Sequence, residues 1–237
     1  MHPLIRTCQS ISLQHIPAVD GHMHTSWTDG QHTAEEMHAA AVKAGLKYIL
    51  FSEHARKTSG DWFYKFAAEV RALPKDKCCS FVGVETKIDD FDGSLDISDE
   101  IRANCDLVMG SVHRFPSERE KHKLDAREFA IDEAIDMEFR LSVAAIRTRK
   151  IDILGHPFGM TYRRFRATPP FSLIEALAVE CANHRVAFEI NARYHDSPWD
   201  LVKLCKKHGT LIALGSNAHM TSEVGAITAK LKGMRPE

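Results

Sequence analysis

Seven short apolar runs recur along this chain, and each ends on or beside a side chain that can bind a metal or carry a negative charge. The runs occupy residues 18–19, 48–51, 81–84, 107–109, 151–154, 186–190 and 211–214. Their ends read Asp20-Gly21-His22-Met23-His24, Ser52-Glu53-His54, Gly83-Val84-Glu85, Gly110-Ser111-Val112-His113, Gly155-His156-Pro157, Glu189-Ile190-Asn191 and Gly215-Ser216-Asn217-Ala218-His219. Such short runs, rich in branched and aromatic side chains and bounded by Gly, predict strands.

Between them lie amphipathic segments with helix signals. Thr33 and Glu36 spell a capping box ahead of Met37, Ala40, Ala41 and Ala44, and Gly45 closes that helix. Trp62, Phe63, Phe66, Val70 and Leu73 form an apolar stripe that ends at Pro74. Further helices are expected over about 125–147, behind a second capping box at Ser172 and Glu175, behind Ser197-Pro198, and at the C-terminal end with Ser222 as cap. Strand followed by helix, repeated without a long linker, implies parallel strands joined by crossovers. Residues 1–16 show no clear period and read as an arm or tail; residues 17–237 read as one domain.

An open doubly wound sheet and a closed barrel both satisfy this order, and the strand ends favour the barrel. In a closed parallel barrel all C-terminal strand ends share one face, where their side chains converge. Residues two apart on an extended strand point the same way, so His22 and His24 can reach one ion. His32, His38, His122, His184 and His208 fall on helices or their flanks and are expected to be solvated or capping.

Of the 14 histidines, six therefore mark strand ends, in a chain of 237 residues with formal net charge -1. A near-neutral chain has no global basic field for a polyanion, which argues against a long nucleic acid as partner. The six cysteines include no C-x-x-C pair and read as reduced core thiols. The opening residues lack the pattern of a secretion signal, and no apolar run is long enough to span a membrane; a cytoplasmic protein is expected.

The segments DGHMHTSWTDG (20–30), LFSEH (50–54), GVET (83–86), MGSVH (109–113), LGHP (154–157), FEIN (188–191) and LGSNAH (214–219) together resemble the polymerase and histidinol phosphatase, or PHP, domain family. They occur in the family's order and cover nearly the whole chain. The resemblance implies an α/β fold, a distorted TIM-like (β/α)7 barrel, with two or three divalent metal ions. Carried over by motif, His22, His24, Glu85 and Asn217 would hold one ion, Glu85, His113 and His156 a second, and Asp29, His54 and His219 a third. The family usually has Asp where this chain has Asn217, so a charged ligand is replaced by a neutral amide oxygen. Glu53, next to His54, is expected to support the ligands from behind.

Divalent ions bridged by one carboxylate, roughly 3.5–4 Å apart, suit phosphate-ester hydrolysis. The expected protein is a metal-dependent phosphoesterase that hydrolyses a small phosphomonoester, as a histidinol phosphatase does, by a metal-activated hydroxide. Glu85, His54 and His219 are the expected catalytic members of the ligand set. In Tyr162-Arg163-Arg164-Phe165-Arg166, Arg163 and Arg164 are candidates to clamp phosphate, because a guanidinium fork matches its oxygens. Arg193 and Arg114 follow other strand ends. The metals are expected to be Zn, Mn or Fe, since mixed imidazole and carboxylate sites accept several. Alternative readings are a nuclease or nucleotide phosphodiesterase on the same scaffold, and a metal-binding PHP module catalytically weakened at Asn217. An amidohydrolase is disfavoured, because no strand-end lysine stands ready to bridge metals.

Overall fold

All seven apolar runs form strands: β2 (Val19–Met23), β3 (Tyr48–Glu53), β4 (Cys79–Lys87), β5 (Leu107–Ser111), β6 (Ile153–Leu154), β7 (Ala187–Asn191) and β8 (Leu211–Gly215). The computed structural model describes residues 2–116 and 129–234. Each of these strands pairs in parallel with the next in the chain. β2 and β8 meet through a bridge between Met23 and Ala218, where His24 N donates to Ala218 O (2.8 Å) and Ala218 N to His22 O (3.3 Å). The sheet thereby curls into a distorted barrel. β2, β5 and β7 are buried along their whole length, as parallel strands covered on both faces must be.

An eighth strand, β1 (Ile5–Thr7), lies antiparallel on β8 with Ile5 opposite Ala213. It comes from the N-terminal arm, whose Leu4, Cys8 and Ile11 are buried. Three residues are too few to display a period of two, so no strand signal exists in that stretch of sequence.

The helices are α1 (Ala34–Lys43), α2 (Gly60–Ala72), α3 (Asp99–Ala103), α4 (Ile131–Thr148), α5 (Gly159–Arg163), α6 (Phe171–His184), α7 (Pro198–His208) and α8 (Ala226–Gly233). At α1 both bonds of the predicted capping box form: Glu36 N donates to Thr33 Oγ1 (3.2 Å) and Thr33 N to Glu36 Oε2 (2.8 Å). At α6 the expected box does not form. Pro170 holds the extended N-cap position, so the helix starts at Phe171 and Ser172 falls inside its first turn. Ser222 does not cap α8 either: it lies in a short 3-10 turn, and Gly225 precedes the helix. Residues 125–128 of the predicted long helix lie outside the described residues. The six cysteines are free thiols, four of them buried. His38 is buried rather than solvated, with Nε2 3.1 Å from the Cys78 carbonyl oxygen. Among the described residues no helix is long and apolar enough to cross a membrane.

Candidate metal centre

Five imidazoles surround one carboxylate at the C-terminal ends of the strands. Glu85, near the end of β4, is buried. Its Oε1 lies 2.7 Å from His156 Nε2 and 3.1 Å from His113 Nε2. Its Oε2 lies 3.3 Å from His22 Nε2, 3.3 Å from His54 Nδ1 and 3.5 Å from His24 Nε2. The sixth strand-end histidine, His219, reaches the cluster through Asp29: its Nε2 is 3.2 Å from Asp29 Oδ2, and His54 Nε2 is 3.5 Å from the same oxygen.

Three groups have donor atoms close enough to share a cation: His22, Glu85 and His156; His54, Glu85 and His113; and His24, His54 and His219. All the strand-end histidines expected from the sequence meet here, and the residues that the resemblance groups together are also neighbours: His22 Nε2 is 3.1 Å from His24 Nε2 with Glu85 Oε2 close to both, Glu85 Oε1 faces His113 and His156, and Asp29 Oδ2 faces His54 and His219. His24 also lies beside His54 and His219, with ring centroids 4.4 and 4.6 Å away. Asn217 is buried in the left-handed region (φ 53°), which Asn tolerates better than most side chains. Its Nδ2 donates to Tyr194 Oη at 3.4 Å, while its Oδ1 has no hydrogen-bond partner. His24 Nδ1 and His156 Nδ1 are likewise buried without partners. Unpartnered buried donors and acceptors are costly, and imidazole, carboxylate and amide oxygen together form a set that fits a divalent cation.

The electrostatics explain how so many titratable groups can share this space. Burial opposes charge on Glu85, yet the adjacent His113, His22 and His156 hold its carboxyl well below the usual range. Burial likewise opposes a proton on His22, but Glu189 and Glu85 outweigh it and raise its pKa well above the ordinary value. His24 is driven the other way by burial and by the neighbouring His54 and His22, and stays neutral, as a metal ligand must. Asp29 is held below the usual carboxylate range, its burial outweighed by hydrogen bonds from His219 and His54.

Four further residues support the ligands, Glu53 among them as expected from the sequence. Glu189 on β7 is fully buried; its Oε1 lies 2.8 Å from His22 Nδ1 and accepts Asn191 Nδ2 at 2.8 Å, while Oε2 accepts the His156 backbone N–H. One carboxylate thus orients two ligand positions. A Cβ at Gly215 would overlap Glu189 Oε1 and fall 2.7 Å from His22 Cβ, so only Gly leaves room for this contact. Glu53 accepts Thr25 N (2.7 Å) and the Thr28 hydroxyl, closing the loop that carries Asp29. Tyr194 stacks on His156 with ring centroids 4.5 Å apart, and its hydroxyl accepts from Arg163 Nη1 at 3.4 Å.

The fourth, Glu138, lies on the buried stripe of α4 with Ala134, Leu141 and Ala145, a place where a glutamate needs a reason. Its carboxylate accepts Met160 N (3.0 Å), Thr161 N (2.9 Å) and Thr161 Oγ1 (2.7 Å), and so anchors α5, which carries Arg163. Burial outweighs these hydrogen bonds and pushes the Glu138 carboxyl from 4.5 up to about 7. Between those values the folded protein keeps a proton that the unfolded chain releases, so the Glu138 contribution to stability declines as pH rises through that window. Glu138→Gln is therefore expected to flatten the pH dependence of unfolding free energy between about pH 5 and 7, by up to about 3 kcal/mol. Urea titrations of both proteins across that range check this; parallel curves would show that Glu138 does not titrate there.

The cluster opens into a cavity of about 790 Å³ whose walls include Arg56, Arg114, Arg163, Arg164, Tyr194 and Asn217. Both predicted clamp residues are exposed on this wall, Arg163 as the last residue of α5 and Arg164 just after it.

Residues 20–193 match the PHP domain. A protein of Caldicellulosiruptor saccharolyticus named "Probable phosphatase" is 28% identical over 228 residues, covering 90% of this chain and 85% of its own. A solved structure of histidinol phosphate phosphatase from Lactococcus lactis, complexed with Zn, L-histidinol and phosphate, superposes with a TM-score of 0.62 at 21% identity, covering 91% of this chain and 92% of its own. A candidate histidinol phosphatase from Listeria monocytogenes gives a TM-score of 0.70 at 15% identity, over 87% of this chain and 97% of its own.

Proposed function

The chain belongs to the PHP domain family, and from that premise we propose a metal-dependent phosphoesterase that hydrolyses a small phosphomonoester in the manner of a histidinol phosphatase. It is a hydrolase of phosphoric ester bonds that works with divalent metal ions, two or three in number and drawn from Zn, Mn and Fe. The observation that carries the reading is the convergence of His22, His24, His54, His113 and His156 on the two oxygens of Glu85. Imidazoles gathered around one carboxylate are the donor set of a multinuclear hydrolytic centre.

His22, His24 and Glu85, with the neutral oxygen of Asn217, would hold one ion, Glu85, His113 and His156 a second, and Asp29, His54 and His219 a third. Bound ions supply Lewis acidity toward the phosphoryl group and the attacking water. The chain's own groups do the rest. Arg163 and Arg164 bind the phosphoryl oxygens through their planar forks. Asp29 orients the rings of His54 and His219, two of the part-exposed imidazoles on the cavity wall. Glu189 fixes His22 and the His156 backbone from behind. A cavity of about 790 Å³ suits a small molecule better than a polymer.

The test is release of inorganic phosphate from histidinol phosphate and from generic phosphomonoesters, alongside elemental analysis of the purified protein. Release should need a divalent ion and stop on chelation. Turnover that survives chelation, or a preference for oligonucleotides over every monoester, would overturn the reading.

A further inference from the structure

Resting on that phosphoesterase reading, we propose that the substrate carries a second anionic group, a carboxylate or a further phosphate, and that Arg56 and Arg114 receive it. Both line the same cavity as Arg163 and Arg164. Arg56 follows β3 and Arg114 follows β5, the two strands that flank the Glu85 strand β4, whereas Arg163 and Arg164 come after β6.

Among the described residues the charges of that wall do not balance internally. Among the described residues, neither Arg56, Arg114, Arg163 nor Arg164 has a carboxylate partner; the side-chain contact of Arg163 is the Tyr194 hydroxyl. Lys87 on the same wall is already paired with Asp89. Of the wall's carboxylates, Asp29 and Glu85 are engaged by imidazoles, and Asp96 accepts Lys57 N at 3.5 Å. Four guanidiniums therefore face one recess, and like charges gathered in a concave site focus a positive potential. A single phosphoryl group is satisfied by one or two bidentate forks together with the centre it reacts at. Arg163 and Arg164 supply those forks, which leaves Arg56 and Arg114 for another anion.

Their backbones are also held in place. Arg56 N donates to Ser59 Oγ (3.0 Å) and Ser59 N returns to Arg56 O (2.9 Å), closing a tight turn. Arg114 sits between His113, held on Glu85, and Phe115, buried edge-on against Phe129 with centroids 5.3 Å apart. Backbone positions held in this way lower the entropic cost of ordering the arginine side chains around an anion.

Four esters test the proposal: glycerol 3-phosphate, with a neutral remainder; 3-phosphoglycerate, differing from it by a carboxylate; propane-1,3-diol bisphosphate; and histidinol phosphate, with a cationic amine. The expected result is a kcat/KM about tenfold or more higher for the carboxylate or bisphosphate ester than for glycerol 3-phosphate, with the amine ester poorest. In the Arg56→Gln/Arg114→Gln double variant the ratio between the preferred ester and glycerol 3-phosphate should collapse toward one. A general loss of structure would lower both and leave their ratio in place. Equal kcat/KM for the esters, or a preference that survives in the double variant, overturns the second anion site alone. Absence of phosphate release from all four overturns the underlying phosphoesterase reading with it. Whether the carboxylate or the bisphosphate ester leads identifies the second group.

Discussion

Glu85→Gln is expected to lower kcat for phosphomonoester hydrolysis by about 10³-fold or more and to strip the protein of most of its metal. The substitution keeps the shape of the side chain but removes its charge and one of its two acceptor oxygens. Both oxygens are used: one faces His156 and His113, the other His22, His54 and His24. An amide would turn an N–H pair toward imidazole nitrogens whose lone pairs are needed for a cation. It would also leave the proton on His22 with only Glu189 to hold it, so the buried imidazoles would carry uncompensated repulsion. Phosphate release and elemental analysis on the folded variant, with circular dichroism as the check on folding, measure the effect. Turnover within tenfold of the parent would show that the chemistry lies elsewhere.

Glu189→Ala should produce the second largest effect and divide it between stability and activity. The carboxylate is fully buried and engages His22 Nδ1, the His156 N–H and Asn191 Nδ2 together. Removing one member of a buried charged network costs about 3–5 kcal/mol, because the partners are left without compensation. Loss of a residue that orients metal ligands typically costs about 10–100-fold in metal affinity or activity. Urea unfolding and a metal titration, done on the same preparation, separate the two. Glu189→Gln is the informative companion: it keeps the volume and one acceptor, so it should recover most of the packing while still loosening either His22 or the His156 backbone. If Glu189→Ala left metal affinity unchanged, Glu189 would be a structural residue only.

The strands and the histidine-bearing ends were legible because parallel barrel strands are buried on both faces. Such strands read as plain apolar runs that stop where the barrel mouth begins, and this is why His22, His24, His54, His113, His156 and His219 could be picked from among 14 histidines. Caps were less legible. Ser172 and Ser222 have the right chemistry, but Pro170 and Gly225 set the backbone first. Glu138 carried a faint signal, a carboxylate on the apolar stripe of α4; what it holds, the start of α5, comes from another part of the chain. Tyr194 follows the strand end at Asn191 and so could be expected near the mouth, but its stacking on His156 depends on the approach of two loops.

By itself the sequence determined the order of strands and helices, the identity of nearly every side chain at the mouth, and the mixed nitrogen and oxygen donor set, because these depend on local pattern and residue type. Only the tertiary structure decided which imidazoles share an oxygen of Glu85, that Glu189 stands behind two of them, and that four arginines face one cavity. Those relations depend on the curl of the sheet and on ring orientation. Both are set by packing between residues far apart in the chain, such as Gly215 yielding space to Glu189 and His22, and no stretch of sequence encodes them locally.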